Sequence, residues 1–374
     1  MNLTPIQHEI LDAARRFNQT EAAGFIELME RENQFPAELP QSLSRCRLLG
    51  MRFPRQYGGS GADALAAVLA IEELARVSPA IADVVLCIHA GTGLLLSYGA
   101  EELKARYLPS VAEGSLIPSY GLTEPAAGSD LAAVATFAEP LQDGFRLRGA
   151  KVFITLGAVS DFVVVLAVTD RTAAKRHHGM SLLLVQGHNR GKAQEFMGLR
   201  GTAVGGISFR NLFVARDHLV GELNQGFRHV MQSLAGGRIE VAALSVGLAQ
   251  GALDQALRYA QGRVQFGRPI AAQQAVQFML ADMQTSIEAA RRLTYHAARL
   301  RDAGRPHSRE ASEAKLFASE MAMACASNAV QIHGGYGYWK KYPVERLFRD
   351  AKITQIFEGS NQIQRLVIAR DVLA

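Results

Sequence analysis

Two stretches of this 374-residue sequence gather the residue types that chemistry needs. Tyr120-Gly121-Leu122-Thr123-Glu124-Pro125-Ala126-Ala127-Gly128-Ser129-Asp130 combines small residues, hydroxyls and a turn-forming proline. Backbone amides and the Thr123 and Ser129 hydroxyls of such a loop bind the polar edge of a planar ring or a phosphate. An Asx or Ser turn that only links two domains has the same composition, so both readings stand. Near the C-terminus, Ile356-Phe357-Glu358-Gly359-Ser360-Asn361 sets one carboxylate between an aromatic residue and a glycine. Taken alone, Glu358 is a proton acceptor or one more helix-capping acid.

Other chemistries lack their signatures. No G-x-G-x-x-G occurs and no βαβ alternation carries one, which argues against a Rossmann nicotinamide site; G-x-S-x-G and Walker A sequences are also missing. The ten His residues form no HExxH or similar cluster, so no metal is expected. Cys46, Cys87 and Cys325 are few, far apart and outside CxxC spacing, and read as reduced thiols. A net charge of +5 with dispersed basic residues does not favour nucleic acid; Lys175-Arg176-His177-His178, the densest basic run, reads as a solvated loop. Apolar runs such as 162–168 are too short to cross a bilayer, and MNLTPIQHEI shows no basic start before an apolar core. The expectation is a cytoplasmic protein with no membrane partner.

The elements that must position these residues follow from periodicity. Ile6, Ile10, Leu11 and Ala14 recur at helical spacing, residues 64–77 form a second helical stretch, and more helix covers about 80–112. From about Ser119 the texture turns to strands: 145–148 alternates after an Asp143-Gly144 turn, 162–168 is β-branched, and 181–185 and 207–209 continue the pattern. Residues 239–260, 275–300 and 311–331 then carry apolar positions at helical spacing, and a last helix runs from Ile363. The expected fold class is multi-domain α+β: a helical domain (1–118), a middle β-barrel or sandwich domain (119–226) and a C-terminal four-helix bundle (227–374).

The order of the motifs resembles the acyl-CoA dehydrogenase family over essentially the whole chain. Thr123-Glu124-Pro125-x-x-Gly128-Ser129-Asp130 is similar to that family's first signature, and Lys151-Val152-Phe153-Ile154-Thr155 to its flavin-facing strand. Gly198-Leu199-Arg200-Gly201-Thr202, Arg263-Val264-Gln265-Phe266-Gly267, Gln331-Ile332-His333-Gly334-Gly335 and Tyr342-Pro343-Val344-Glu345-Arg346 follow in register. Arg349-Asp350-Ala351-Lys352 then leads to Ile356–Asn361, and Pro54-x-x-Tyr57-Gly58-Gly59 fits upstream.

The resemblance implies FAD-dependent α,β-desaturation of an acyl-CoA. Glu358 would take the α-proton while the β-hydrogen passes as hydride to the flavin. Tyr120, Leu122, Thr123 and Ser129 match the flavin loop, with Ser129 also placed to meet substrate, and Phe153 and Thr155 match the flavin face. Arg263 and Gln265 match pyrophosphate ligands, Gln274 a residue near the ribityl-adenine end, and Gln331, Gly334 and Gly335 an adenosine-side contact. In the family these last groups come from a neighbouring subunit, which implies a homo-oligomer, a tetramer being the family expectation. Ser360 and Asn361 complete the cofactor set; Arg238 and Gly359 would lie along the thioester. Some relatives carry the base at the position of Gly237, which here has no side chain. Leu156 and Val204 depart from the family pattern, where Asn or Ser and a hydroxyl residue are usual. Electron-transferring flavoprotein is the expected electron acceptor. A thioester presented by an acyl carrier protein, or an oxidase or monooxygenase on the same scaffold, are the alternatives.

Overall fold

The computed structural model describes residues 2–374; Met1, which opens the first expected domain, lies outside them. Six helices come first: α1 (Pro5–Thr20), α2 (Ala22–Glu32), α3 (Leu39–Arg45), α4 (Ala64–Val77), α5 (Pro79–Tyr98) and α6 (Glu101–Ala112). Their starts are written in the sequence. Thr4 and Gln7 close a capping box on α1, Asp63 caps α4 and Ser78 caps α5 with Pro79 behind it.

Helix α5 corrects one sequence expectation. An 18-residue window of this 20-residue helix reaches a mean hydropathy of 1.8, long and apolar enough to span a bilayer, and 78% of that window is buried inside the protein. It is the central helix of the first domain, packed against α4, the strands and the bundle.

The middle of the chain forms β1 (Pro118–Gly121), β2 (Phe137–Leu141), β3 (Gly144–Ile154), β4 (Phe162–Val168), β5 (Met180–Gln186), β6 (Asn189–Arg190), β7 (Gly205–Ala215) and β8 (Leu219–Val220). They build one sheet in the order β6-β7-β3-β2-β4-β5-β8, with β1 added in parallel to β4. Strand β4 is buried at every position because both of its faces are covered. Val163, Val165 and Ala167 enter a core internal to the β domain, while Phe162, Val164, Leu166 and Val168 join the helical core. The sheet is thereby locked to the helices that carry the rest of the site.

The bundle consists of α7 (Gly226–Gly262), α8 (Gln274–Asp302), α9 (Ser308–His333), α10 (Pro343–Thr354) and α11 (Asn361–Val372). Helix α7 starts well before residue 239, where periodicity placed it, because its first turns bury small and polar residues such as Gly226, His229 and Gly236 and carry no full apolar stripe. Between α7 and α8 lies a hairpin of β9 (Val264–Gln265) and β10 (Arg268–Pro269), turned by Phe266 and Gly267 at φ 52° and 77°. At the far end of α8, Asp302 accepts from the amides of Ala64 and Leu65 at 2.7 and 3.1 Å, so the bundle caps a helix of the first domain.

Candidate active site

Glu358 stands in the turn between α10 and α11. It has φ 51° and Gly359 has φ 87°, two successive left-handed residues that reverse the chain and turn the carboxylate inward. The Tyr120 hydroxyl, at the end of β1, donates to Glu358 Oε1. On the other side stands Gly237 of α7, where an added Cβ would lie 2.8 Å from Glu358 Oε2. Glycine is required there for the carboxylate to pack against the helix. Burial pushes the Glu358 carboxyl up to about 7, and the carboxyl of Asp83 on α5 adds to the effect. Burial also pushes Asp83 up to about 7, and its Oδ1 lies 3.9 Å from the Cys87 sulfur. A carboxyl with this affinity for protons is suited to take one from a weak carbon acid.

The loop 120–130 is pinned from beneath. Glu124 is buried and accepts from the Ala135 and Thr136 amides at 2.7 and 2.9 Å and from Lys151 Nζ at 2.8 Å. Lys151 also donates to the carbonyls of Leu122 and Leu166, and the Val152 amide to the carbonyl of Thr123. These bonds spend Glu124 on structure and leave Ser129 exposed and Thr123 half-buried at the loop surface. Leu122 is buried, so only its backbone is offered there.

Just beyond Lys151 the β3–β7 pairing loses register, and Phe153 takes φ 57°. The irregularity turns the Phe153 ring out of the sheet, 63% exposed, beside Thr155. An aromatic ring held out of the core, edge-to-face with Phe196 at 6.2 Å, fits a planar heterocycle. Leu156, a departure in sequence, is fully buried at φ 63° and belongs to the core.

A second cleft, about 640 Å³, lies where α7 ends and α9 stops. It brings together Arg263, Gln265, Gly334 and Gly335 of the sequence-derived set, floored by Tyr259 and Trp339. The Arg263 guanidinium lies 5.4 Å from the Tyr336 ring centre, and Gly334 and Gly335 present open backbone. Such a cation with free backbone beside aromatic rings suits a dinucleotide. Gln274 and Gln331, expected with them, are exposed side chains that do not line this cleft. No hydrogen bond links the cleft to Glu358, Tyr120, Phe153 or Thr155 among the described residues.

One expectation needs correction. Asn361 does not face a cofactor: its Oδ1 accepts from Lys315 at 2.8 Å and Ser319 at 3.1 Å, and its Nδ2 donates toward Ser319 and Glu320 at 2.9 and 3.0 Å. Every position on its amide is used inside the protein. Ser360 lies at the start of α11 without capping it through its side chain. The run 175–178 is exposed apart from half-buried His177, as expected of a solvated loop, and His177 and His178 line a cleft of about 1130 Å³ together with Arg228, Arg305 and Arg309. The signal for that cleft was the basic run itself; its partners lie about 50 residues away at Arg228 and about 130 away at Arg305 and Arg309, beyond the reach of local pattern.

Arg238 is buried between α7 and α9, donates to Ser312 Oγ at 3.3 Å and leaves its Nε without a partner. Among the described residues it makes no ion pair. Glu240, one turn past Gly237, is held by Arg52 at 2.9 Å with His89 at 3.4 Å and is occupied by that cluster.

Sequence and structure comparisons agree along the whole chain. Residues 4–115 match the model described as acyl-CoA dehydrogenase, N-terminal domain, residues 119–212 the middle domain and residues 224–373 the C-terminal domain. An acyl-CoA dehydrogenase of Bacillus subtilis (strain 168) is 43% identical, covering 100% of this chain and 99% of the relative. The caffeyl-CoA reductase-Etf complex subunit CarC of Acetobacterium woodii is 41% identical over 95% of each. The solved structure of butyryl-CoA dehydrogenase from Megasphaera elsdenii superposes with a TM-score of 0.96 at 38% identity, covering 100% of both chains.

Proposed function

The chain belongs to the acyl-CoA dehydrogenase family of FAD enzymes, and from that premise we propose that it desaturates an acyl-CoA between the α- and β-carbons with Glu358 as the base. The observation that carries the reading is the Glu358 carboxyl itself, raised to about 7 and held in a left-handed turn against Gly237. The α C–H bond breaks toward a Glu358 carboxylate oxygen, the β-hydrogen leaves as hydride, and the carbon–carbon double bond forms between them. FAD, when bound, supplies the two-electron acceptor for that hydride.

The chain's own residues do the rest. Thr123, Ser129, Phe153 and Thr155 offer the hydroxyls and the aromatic face that hold the flavin ring. Arg263, Gln265, Gly334 and Gly335 suit the pyrophosphate and adenosine of FAD. The Glu358 backbone amide polarises the thioester carbonyl so that the α-proton becomes acidic enough to leave. Arg238 and the basic cleft of His177, Arg228 and Arg309 suit the phosphates of the CoA portion.

Two further parts of the reading concern partners. The cleft around Arg263 and the ring around Phe153 are unlinked within one chain, and Phe266 at the hairpin tip is 93% exposed with Phe278 60% exposed nearby in sequence. Exposed aromatic residues beside a half-built cofactor site support a homo-oligomer, a tetramer by family expectation, in which each FAD is shared between two copies. The CarC relative, named as part of an Etf complex, supports electron-transferring flavoprotein as the acceptor.

The test is an anaerobic screen in which the FAD-loaded protein is mixed with short, long, branched and aromatic acyl-CoAs and the flavin absorbance is followed. Bleaching by at least one thioester, with the 2-enoyl product recovered, is the expected result. No bleaching by any of them overturns the reading. Rapid reoxidation of the reduced protein by oxygen with stoichiometric peroxide would move it to an oxidase.

A further inference from the structure

Lys315 on α9 is fully buried, yet both acceptors of its amine are neutral. Its Nζ donates to the Gly359 carbonyl at 3.0 Å and to Asn361 Oδ1 at 2.8 Å. The Gly359 carbonyl takes a second bond, 2.7 Å, from Gln364 Nε2, which also approaches the Glu358 carbonyl at 3.3 Å. Both lone pairs of one carbonyl are thus held, from α9 on one side and α11 on the other, and the peptide that follows Glu358 and Gly359 cannot rotate. Asn361 is itself fixed by Ser319 and Glu320, so the amine rests on an anchored acceptor.

Stability does not account for this arrangement. A buried ammonium with neutral acceptors costs several kcal/mol of desolvation, and an apolar side chain of the same length would pack there more cheaply. Burial pulls the Lys315 amine down to about 7, and Arg238 nearby adds to the effect. The amine is, however, placed on a turn built from two successive left-handed residues, Glu358 and Gly359. A non-glycine residue at φ 51° costs on the order of 1 kcal/mol or more and relaxes unless its surroundings hold it.

We infer that Lys315 is a positioning residue for the base: by clamping the Gly359 carbonyl and Asn361 it holds the Glu358 turn in the conformation that aims the carboxylate at the α-carbon. The inference rests on the reading of Glu358 as the base. It requires that Lys315 act only through Glu358.

A double-mutant cycle tests it, using full-length, FAD-loaded Lys315→Met, Glu358→Gln and the combined variant. Each is characterised by FAD content, melting temperature, affinity for a non-oxidisable CoA thioether, and the rate of anaerobic bleaching by the best acyl-CoA. In the Glu358 background, Lys315→Met lowers the bleaching rate about 10²-fold, as a displacement near 1 Å does, with FAD content and thioether affinity unchanged. In the Glu358→Gln background it lowers the residual rate by less than about twofold. A bleaching rate within about threefold of the parent, or an equal loss in both backgrounds, overturns the inference. Should Lys315→Met not fold, Asn361→Ala, which keeps the amine but removes its anchored acceptor, goes through the same cycle with the same two outcomes. Bleaching of the unmodified protein in the same session keeps this result separate from failure of the proposed function.

Discussion

In the proposed reaction Glu358 is suited to carry the chemistry because three neighbours act on one carboxyl: Tyr120 bonds it, Gly237 makes room for it, and burial with Asp83 raises its proton affinity. Its effect on stability follows. A carboxyl raised from 4.5 to about 7 on folding holds its proton in the folded protein after the unfolded chain has released it. Stability therefore falls as pH climbs from about 4.5 to about 7 and stays lowered above that. Glu358→Gln removes the titration, so the variant should be more stable than the parent at pH 8, by on the order of 3 kcal/mol, and equally stable at pH 4. Thermal melts at the two pH values check this; an unchanged or lower melting temperature at pH 8 contradicts it. None of this was legible locally, since Glu358 alone reads equally well as a capping acid. The ordered motifs singled it out, whereas its surroundings come from β1, α5 and α7, far away in sequence.

At the scale of elements, the site depends on how α7, β3 and the α10–α11 turn meet. Helix α7 gives up a side chain at Gly237 so that the turn can approach. In Gly237→Ala the new methyl would lie 2.8 Å from Glu358 Oε2, and the flexible side chain yields before the helix does. The substitution should leave stability unchanged or improve it by up to about 1 kcal/mol from helix propensity. The same change should slow flavin bleaching by roughly tenfold or more through displacement of the base. Steady-state kinetics beside chemical denaturation separate the two effects; a variant with parental kcat contradicts the contact. Periodicity found the helices and strands because apolar spacing is a local property. It missed the first turns of α7, which bury small and polar residues rather than an apolar stripe, and passed over α5 as a possible span because its apolar stretch is broken by Asp83 and His89. The break in β3 at Phe153 was also invisible: a left-handed residue is a matter of φ, and phenylalanine does not announce one.

For the whole molecule, the proposed cofactor site has two halves. One half lies on the β domain around Thr123, Ser129 and Phe153, and the other on the bundle around Arg263, Gly334 and Gly335. Arg263→Ala should therefore weaken FAD retention while leaving the Glu358 pocket intact. Its expected signature is flavin lost on gel filtration and regained, with bleaching activity, when FAD is supplied in excess. Parental FAD affinity contradicts the role given to Arg263. The division into a helical, a β and a second helical region was readable from the change in periodicity near residues 119 and 226. The uses of Asn361 and of the basic run 175–178 were not, because each depends on partners that only the packed bundle brings near.

The central claim is that Glu358 takes the α-proton, and one measurement addresses it most directly: stopped-flow flavin bleaching of FAD-loaded Glu358→Gln by an acyl-CoA that bleaches the parent. The account predicts normal FAD content, normal thioester binding and a bleaching rate lower by at least about 10³-fold. A variant that binds both ligands and bleaches at near the parental rate would show that another group removes the proton.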